Sequence, residues 1–238
     1  YLYNDGETYT FMDNNTYEQV ELKKEAIEDK VRDHLRGFSR TIPSFLMGYG
    51  DENTTLENFD TIIPQEVFLE VTGISVEDFR FLRDGGEYID PEDENKMKHF
   101  DGNLFESIVF NDAVKEFLRK RDELADYFKE DAKEDIFDYI PPQKTNQIYT
   151  PKKVVKQMVD YLEEENPNCF DNPKATFIDL YMKSGLYITE IVKRLYRSKK
   201  MIELYPNDDE RLKHIFENQV YGCAPTEIIY AIATHYIL

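Results

Sequence analysis

The 238-residue chain has no tryptophan, only two cysteines and ten glycines, and few basic residues: 29 Lys plus Arg stand against 48 Asp plus Glu, a formal net charge of −19 at pH 7. Each shortage excludes something. Cys169 and Cys223 stand alone, with no CxxC pair and no secretory signal, so a disulfide framework is not expected and a reducing compartment is. No apolar run approaches the roughly 18 residues a membrane span needs, so a soluble, cytoplasmic protein with no membrane partner is expected. The chain lacks a phosphate-loop signature, and His34, His99, His214 and His235 are too scattered to predict a metal site. What is present is 41% hydrophobic and 14% aromatic content, enough for a packed core even with 32% of residues charged.

The charge is unevenly placed. Residues 141–238 hold 13 basic and 13 acidic side chains, so residues 1–140, with 16 basic and 35 acidic, carry the whole excess. Such an acidic stretch repels phosphate backbones, and any DNA contact must be local or supplied elsewhere. Tyr1 is not an initiator methionine, and the apolar run Ile228, Ile229, Ala231, Ile232, Ala233, Tyr236, Ile237 and Leu238 stops at its most hydrophobic point. A piece of a longer polypeptide is expected.

Residues 1–22 alternate apolar and polar positions around Asn4-Asp5-Gly6 and Asn14-Asn15, which predicts a short β-hairpin or meander. Through Tyr1-Leu2-Tyr3-Asn4-Asp5-Gly6-Glu7, Phe11-Met12 and Thr16-Tyr17-Glu18-Gln19 the stretch resembles the hairpin of the middle barrel domain of elongation factor P. The resemblance implies a translation-associated role if these residues belong to a closed barrel.

From Lys23 the period becomes helical, with Ile27, Val31, Leu35 and Phe38 on one face and Gly37 near the stop. Thr54 with Glu57 predicts a capping box, Pro64 a first helical turn, Ser75 with Asp78 a second helix start, and Asn111 the start of a helix facing Val114, Phe117, Leu118, Ala125 and Phe128 inward. Residues 23–140 therefore read as a helical module with short connections. Asp90-Pro91-Glu92-Asp93-Glu94-Asn95-Lys96 reads as a solvated loop, because no strand pattern flanks its Glu-x-Lys and no turn glycine suits calcium.

A break at Ile140-Pro141-Pro142 precedes an amphipathic helix with Val154, Val155, Met158, Val159 and Leu162, Thr150 as N-cap and Pro151 in the first turn. Its charges oppose the helix dipole: Lys152, Lys153 and Lys156 sit at the positive end and Glu163, Glu164 and Glu165 at the negative end. Such a start suits a carboxylate or phosphate ligand, although a merely solvated helix explains it as well. Ala175 to Tyr181 then reads as a buried strand, Lys183-Ser184-Gly185 as a turn, and Ile188, Ile191, Val192 and Leu195 as a helix face. After a polar, loop-like insertion from Met201 to Arg211, Gln219 to Cys223 reads as a second strand and Pro225-Thr226-Glu227 as a second helix start. Strand, glycine turn, helix and strand open a doubly wound α/β fold, whose ligands sit beyond the carboxyl ends of the strands, here Asp179 to Tyr187 and Gly222 to Thr226. Lys193, Arg194, Arg197, Lys199 and Lys200 form a basic helix end that suits a helix C-terminus more readily than phosphate.

Tyr149-Thr150-Pro151, then Asp179 to Tyr187, then Val220-Tyr221-Gly222-Cys223-Ala224-Pro225 resemble the ordered methionine-pocket, glycine-turn and ribose-strand motifs of adenine-N6 DNA methyltransferases. Leu35 to Phe45 and the Asp179 to Tyr187 string resemble the region joining a helicase-like motor to a methylase in large restriction-modification proteins. The resemblance implies a helical coupling module at 23–140 and, at 141–238, the first part of a Rossmann-like methyltransferase domain using S-adenosylmethionine. It implies that Tyr149, Thr150 and Pro151 flank the methionine end and that Asp179 meets the cofactor amine. Ser184 and Gly185 would form the close turn, with Gly222 ending the ribose strand. DNA, reached through the complete protein, and other domains or subunits of a restriction-modification system are the implied partners. Two departures stand out: Lys183 replaces the first glycine of the turn, and Ala224 replaces the acid that holds the ribose hydroxyls. The Asn/Asp-Pro-Pro-aromatic catalytic motif is absent from the chain, so no catalytic residue is assigned. A degenerate, non-catalytic methyltransferase-like scaffold is the alternative reading.

Overall fold

A computed structural model describes residues 3–4, 8–12, 19–23, 35–90, 93–124, 134–141 and 149–237. The positions read as helix faces at Ile27, Val31, Ala125 and Phe128 lie outside the described residues. The chain is a mixed α/β protein of two compact units, one of residues 1–42 and 55–111, the other of residues 43–54 and 112–238.

In the first unit, β1 (Tyr3–Asn4), β2 (Thr8–Met12) and β3 (Gln19–Lys23) form an antiparallel meander in that order. Thr8 faces Lys23 and Met12 faces Gln19, the period-two pairing that the alternation predicts. Among the described residues these three strands pair only with one another. Residues 35–39 are helical, and α1 (Ile42–Gly48) follows, belonging to the second unit from Pro43 onward. The first unit continues with α2 (Phe59–Ile62), α3 (Gln65–Thr72), α4 (Val76–Asp84), the hairpin β4 (Gly86–Asp90) and β5 (Asp93–Phe100), and the start of α5 (Ser107–Leu124).

Two helix starts behave differently. Ser75 and Asp78 form the expected capping box: the Asp78 N–H donates to Ser75 Oγ at 3.0 Å and the Ser75 N–H to the Asp78 carboxylate at 3.2 Å. Thr54 and Glu57 do not. The Thr54 hydroxyl accepts the Asp51 N–H at 3.0 Å, Glu57 accepts from the Ser107 hydroxyl at 2.8 Å, and the helix begins only at Phe59. A local turn has captured the candidate cap.

The acidic stretch is not a loop throughout. Asp93 to Lys96 lie in β5, which pairs with β4 from Gly86↔Phe100 to Ile89↔Met97. Ile89 and Met97, opposite each other, are both more than half exposed, so the ribbon buries no continuous face and leaves no alternation to read. The unit's core is aromatic instead. Phe79 lies 5.3 Å from Phe38, 5.4 Å from Phe68 and 5.1 Å from Phe105, while Phe59 meets Phe110 edge-on at 5.2 Å. Beside it, buried Asp60 accepts from Arg80 and Arg83, each at 2.6 Å.

The second unit contains α1, the rest of α5 and a 3-10 turn (Ile136–Tyr139). There follow α6 (Lys152–Glu165), a 3-10 turn (Cys169–Asp171), β6 (Phe177–Asp179), α7 (Leu186–Arg197), α8 (Lys199–Leu204), α9 (Asp208–Asn218), β7 (Val220–Gly222) and α10 (Glu227–Ile237). Val155 and Val159 of α6, Leu186 and Leu195 of α7, Met201, Ile215 and Ile229 are buried to 2% exposure or less. Arg121 of α5 donates to the carbonyls of Leu46 and Gly50 at 3.0 and 2.7 Å, answering the open end of α1.

Three further expectations are corrected here. Residues 201–211 are largely helical, in α8 and α9, because Ser198 and Asn207 cap both helices by accepting from Met201 N and Glu210 N. The cap of α6 is Pro151, not Thr150, and no side chain caps it. The strand read from Ala175 to Tyr181 shrinks to Phe177–Asp179; Phe177 is buried, but Ile178, Leu180 and Tyr181 are 58%, 73% and 63% exposed, since the described sheet is covered on one face only.

Candidate cofactor site at the ends of two parallel strands

β6 and β7 pair in parallel, with Phe177 opposite Val220, Ile178 opposite Tyr221 and Asp179 opposite Gly222. Gln219 sets this register. Fully buried, it donates from Nε2 to the carbonyls of Asn172 and Ala175, both at 3.1 Å, while its main-chain carbonyl accepts the Phe177 N–H at 2.7 Å. The ladder runs on past the strand ends, Cys223 N–H to Asp179 O at 2.8 Å and Met182 N–H to Cys223 O at 2.9 Å. Asp179 and Gly222 are thus neighbours at one end of the pair, with the turn into α7 directly after Asp179. The Asp179 carboxylate accepts the Tyr181 N–H at 3.1 Å, a small turn that orients it.

Gly185 is where glycine is required. Its φ of +82° is left-handed, it caps α7, and a Cβ there would lie 2.8 Å from Ile237 Cδ1. Lys183 carries no such strain, being absent from the positive-φ residues. Its ammonium lies 5.8 Å from the Tyr181 ring centroid. Buried Ser184 accepts weakly from the Leu186 N–H at 3.4 Å, tightening the turn.

Tyr149 is held by rings. It stacks at a tilt on Phe137 at 4.9 Å, and Phe137 meets Tyr236 of α10 edge-on at 4.9 Å. Burial pushes the Tyr149 hydroxyl up to about 12, and the hydroxyl has no hydrogen-bond partner among the described residues. The last turn of α10 therefore touches both predicted segments, Gly185 through Ile237 and Tyr149 through Tyr236 and Phe137. Thr150 and Pro151 follow, and the Pro151 carbonyl accepts from Val154 and Val155 at 2.9 and 3.1 Å.

Asp135 and Phe137 escaped the sequence reading, and Tyr236 enters it only as part of an apolar run. Burial raises the Asp135 carboxyl, opposed by the Phe137 N–H it accepts, with the Asp138 charge raising it further and Lys152 lowering it. Burial and then the Asp135 charge raise Tyr236. Lys152 is lowered by burial first, then by Lys156. The one signal was Asp135 with Asp138, a capping pair that forms around the 3-10 turn.

The residues fit S-adenosylmethionine at one end better than at the other. The partnerless Tyr149 hydroxyl, the Asp179 carboxylate and the left-handed Gly185 suit the methionine end. At the ribose end, Ala224 offers no side-chain acceptor, and a Cβ on Gly222 would meet Met182 Sδ at 2.6 Å. The basic end of α7 is committed elsewhere. Arg194 pairs with Asp160 at 2.5 Å, Glu163 at 2.9 Å and Glu190 at 3.0 Å, lining a cavity of about 420 Å³ with buried Lys193. Among the described residues there is no group of three or more His, Cys, Asp or Glu that could hold a metal, and no helix is long and apolar enough to cross a membrane.

Comparison with known proteins gives two kinds of similarity. The elongation factor P (EF-P) OB domain matches residues 1–32. An elongation factor P of Moorella thermoacetica is 38% identical over 71 residues, 30% of this chain and 34% of that protein. One from a Thermoanaerobacter species is 56% identical over 32 residues, 13% of this chain and 17% of that protein. An uncharacterised adenine-specific methylase of Mycoplasma pneumoniae is 27% identical over 108 residues, 45% of this chain and 25% of that protein. The chain is thus distantly similar to a methylase and, at its N-terminus, to an OB domain, and it spans about a third of the first factor and a quarter of the methylase. No solved structure gives a significant match.

Proposed function

We propose that residues 141–238 are the S-adenosylmethionine-binding half of a DNA adenine-N6 methyltransferase within a restriction-modification protein, preceded by a helical coupling module. The observation that carries the reading is the parallel β6–β7 pair ending at Asp179 and Gly222, with left-handed Gly185 opening α7 directly after it. The distant methylase similarity supports it. When bound, S-adenosylmethionine supplies an activated methyl group on a positively charged sulfur. Asp179 would accept a hydrogen bond from the cofactor amine, the Tyr149 hydroxyl would gain its missing partner, and the positive end of α7 would face the cofactor carboxylate. Transfer to DNA requires groups beyond this chain, because the Asn/Asp-Pro-Pro-aromatic motif is absent. DNA and other parts of the modification system are the proposed partners.

A second reading, a non-catalytic scaffold coupling a motor or nuclease to DNA, is favoured by Ala224 and by Ile237 and Met182 filling the spaces beside the two glycines. Equilibrium dialysis of the whole chain against S-adenosylmethionine separates the two. Saturable binding that falls about tenfold or more in Asp179→Ala, the loss of a charge-assisted hydrogen bond, supports the methyltransferase. No binding by the unmodified chain overturns it in favour of the scaffold.

A further inference from the structure

A second cavity of the same unit, about 470 Å³, lies between the end of α1 and one face of α10. It is built from Gly48 and Tyr49 on one side and Glu227, Tyr230, Ala231, Thr234 and His235 on the other. The α10 residues recur at helical spacing, so one stripe of that helix makes a whole wall. Gly48 brings the walls together: a Cβ there would stand 3.1 Å from the Ala231 methyl. None of the strand-end residues lines this space, so it is independent of the cofactor reading.

Its chemistry is one-sided. Two phenol rings and one carboxylate line it, and no lysine or arginine does. The Thr234 hydroxyl is already donating to the Tyr230 carbonyl at 2.7 Å. Burial and then the charge of nearby Arg121 hold His235 below its ordinary value, so its imidazole is neutral at pH 7; Arg121 itself is engaged by the Leu46 and Gly50 carbonyls. Burial, followed by the Glu227 charge, raises the Tyr49 hydroxyl, placing Glu227 within electrostatic reach of that ring. Aromatic rings beside a single carboxylate attract a cation with an apolar body and repel anions. The volume is that of a small-molecule site.

The geometry points to a binding site for a small organic cation, an alkylammonium or quaternary ammonium group, held by Tyr49, Tyr230 and Glu227. The test titrates choline into the whole chain by calorimetry and ligand-observed NMR, beside 3,3-dimethyl-1-butanol, which has the same shape without the charge. Saturable choline binding is expected, with the alcohol weaker by about tenfold. Glu227→Gln should remove most of that difference and Tyr230→Ala should weaken choline severalfold. Both side chains are exposed, Tyr230 by 58%, so neither change disturbs packing, and circular dichroism checks this. Equal binding of alcohol and choline, no saturable choline binding, or a charge preference unchanged by Glu227→Gln overturns the proposal.

Discussion

The two units bury different chemistry. The first closes around phenylalanines, with Phe79 touching Phe38, Phe68 and Phe105, and keeps two buried carboxylates, Asp60 between two arginines and Asp90 beside Lys98. The second packs mostly aliphatic side chains beside Phe45, Phe137, Phe170 and Phe177, buries Glu190, Lys193, Arg211 and Gln219 among them, and holds both cavities described above. Large rings fill space at low conformational cost, whereas helices meeting across small residues such as Gly48 and Ala231 leave room that a ligand can use. The comparison teaches that an aromatic cluster closes the first unit, while the second leaves open space between its helices.

The largest test of that contrast is Phe79→Ala, expected to cost about 3–5 kcal/mol because it removes the ring at the centre of the cluster. Hydrogen exchange read by mass spectrometry should show protection lost in residues 55–111 and retained in α7. Loss spread equally over both units would break the comparison. Gly185→Ala follows, expected to cost about 1–3 kcal/mol in the second unit from left-handed strain and the approach to Ile237. Chemical denaturation measures it, and S-adenosylmethionine affinity should fall in the same variant. Ser75→Ala should cost about 1 kcal/mol through its capping box, and Thr54→Ala should leave α2 and α3 protected, since Thr54 caps neither helix. Helix-resolved exchange distinguishes the two.

The smallest effect is a pH dependence. His235 titrates below its ordinary 6.5 when folded, so the unfolded chain binds more protons in that window. Its contribution is complete above 6.5 and is lost as pH falls through the depressed folded value. His235→Gln should flatten this part of the stability profile between pH 7 and 5, measured by denaturation at stepped pH, and a profile unchanged by the substitution would remove His235 from the account.

Much of the candidate site was legible because its signals are local. The apolar spacing of α6 and α7, the Ser184-Gly185 turn and the short apolar runs at β6 and β7 depend on neighbours a few residues away. Elements that bury little left no pattern: β5 is polar along most of its length, and α8 and α9 read as a loop because their charged residues outnumber their buried ones. The contacts joining Tyr149 to Phe137 and Tyr236, and Gly185 to Ile237, span too much sequence for any local pattern to announce them.

The sequence by itself determined which segments are amphipathic and where Ser75 starts a helix, since each follows from capping chemistry or period along a short stretch. Tertiary structure alone decided that residues 43–54 join the second unit, that Arg194 is consumed by three carboxylates, and that a stripe of α10 faces Tyr49 across a cavity. Those outcomes depend on which surfaces compete for the same partner, and that competition is settled only when the whole chain packs.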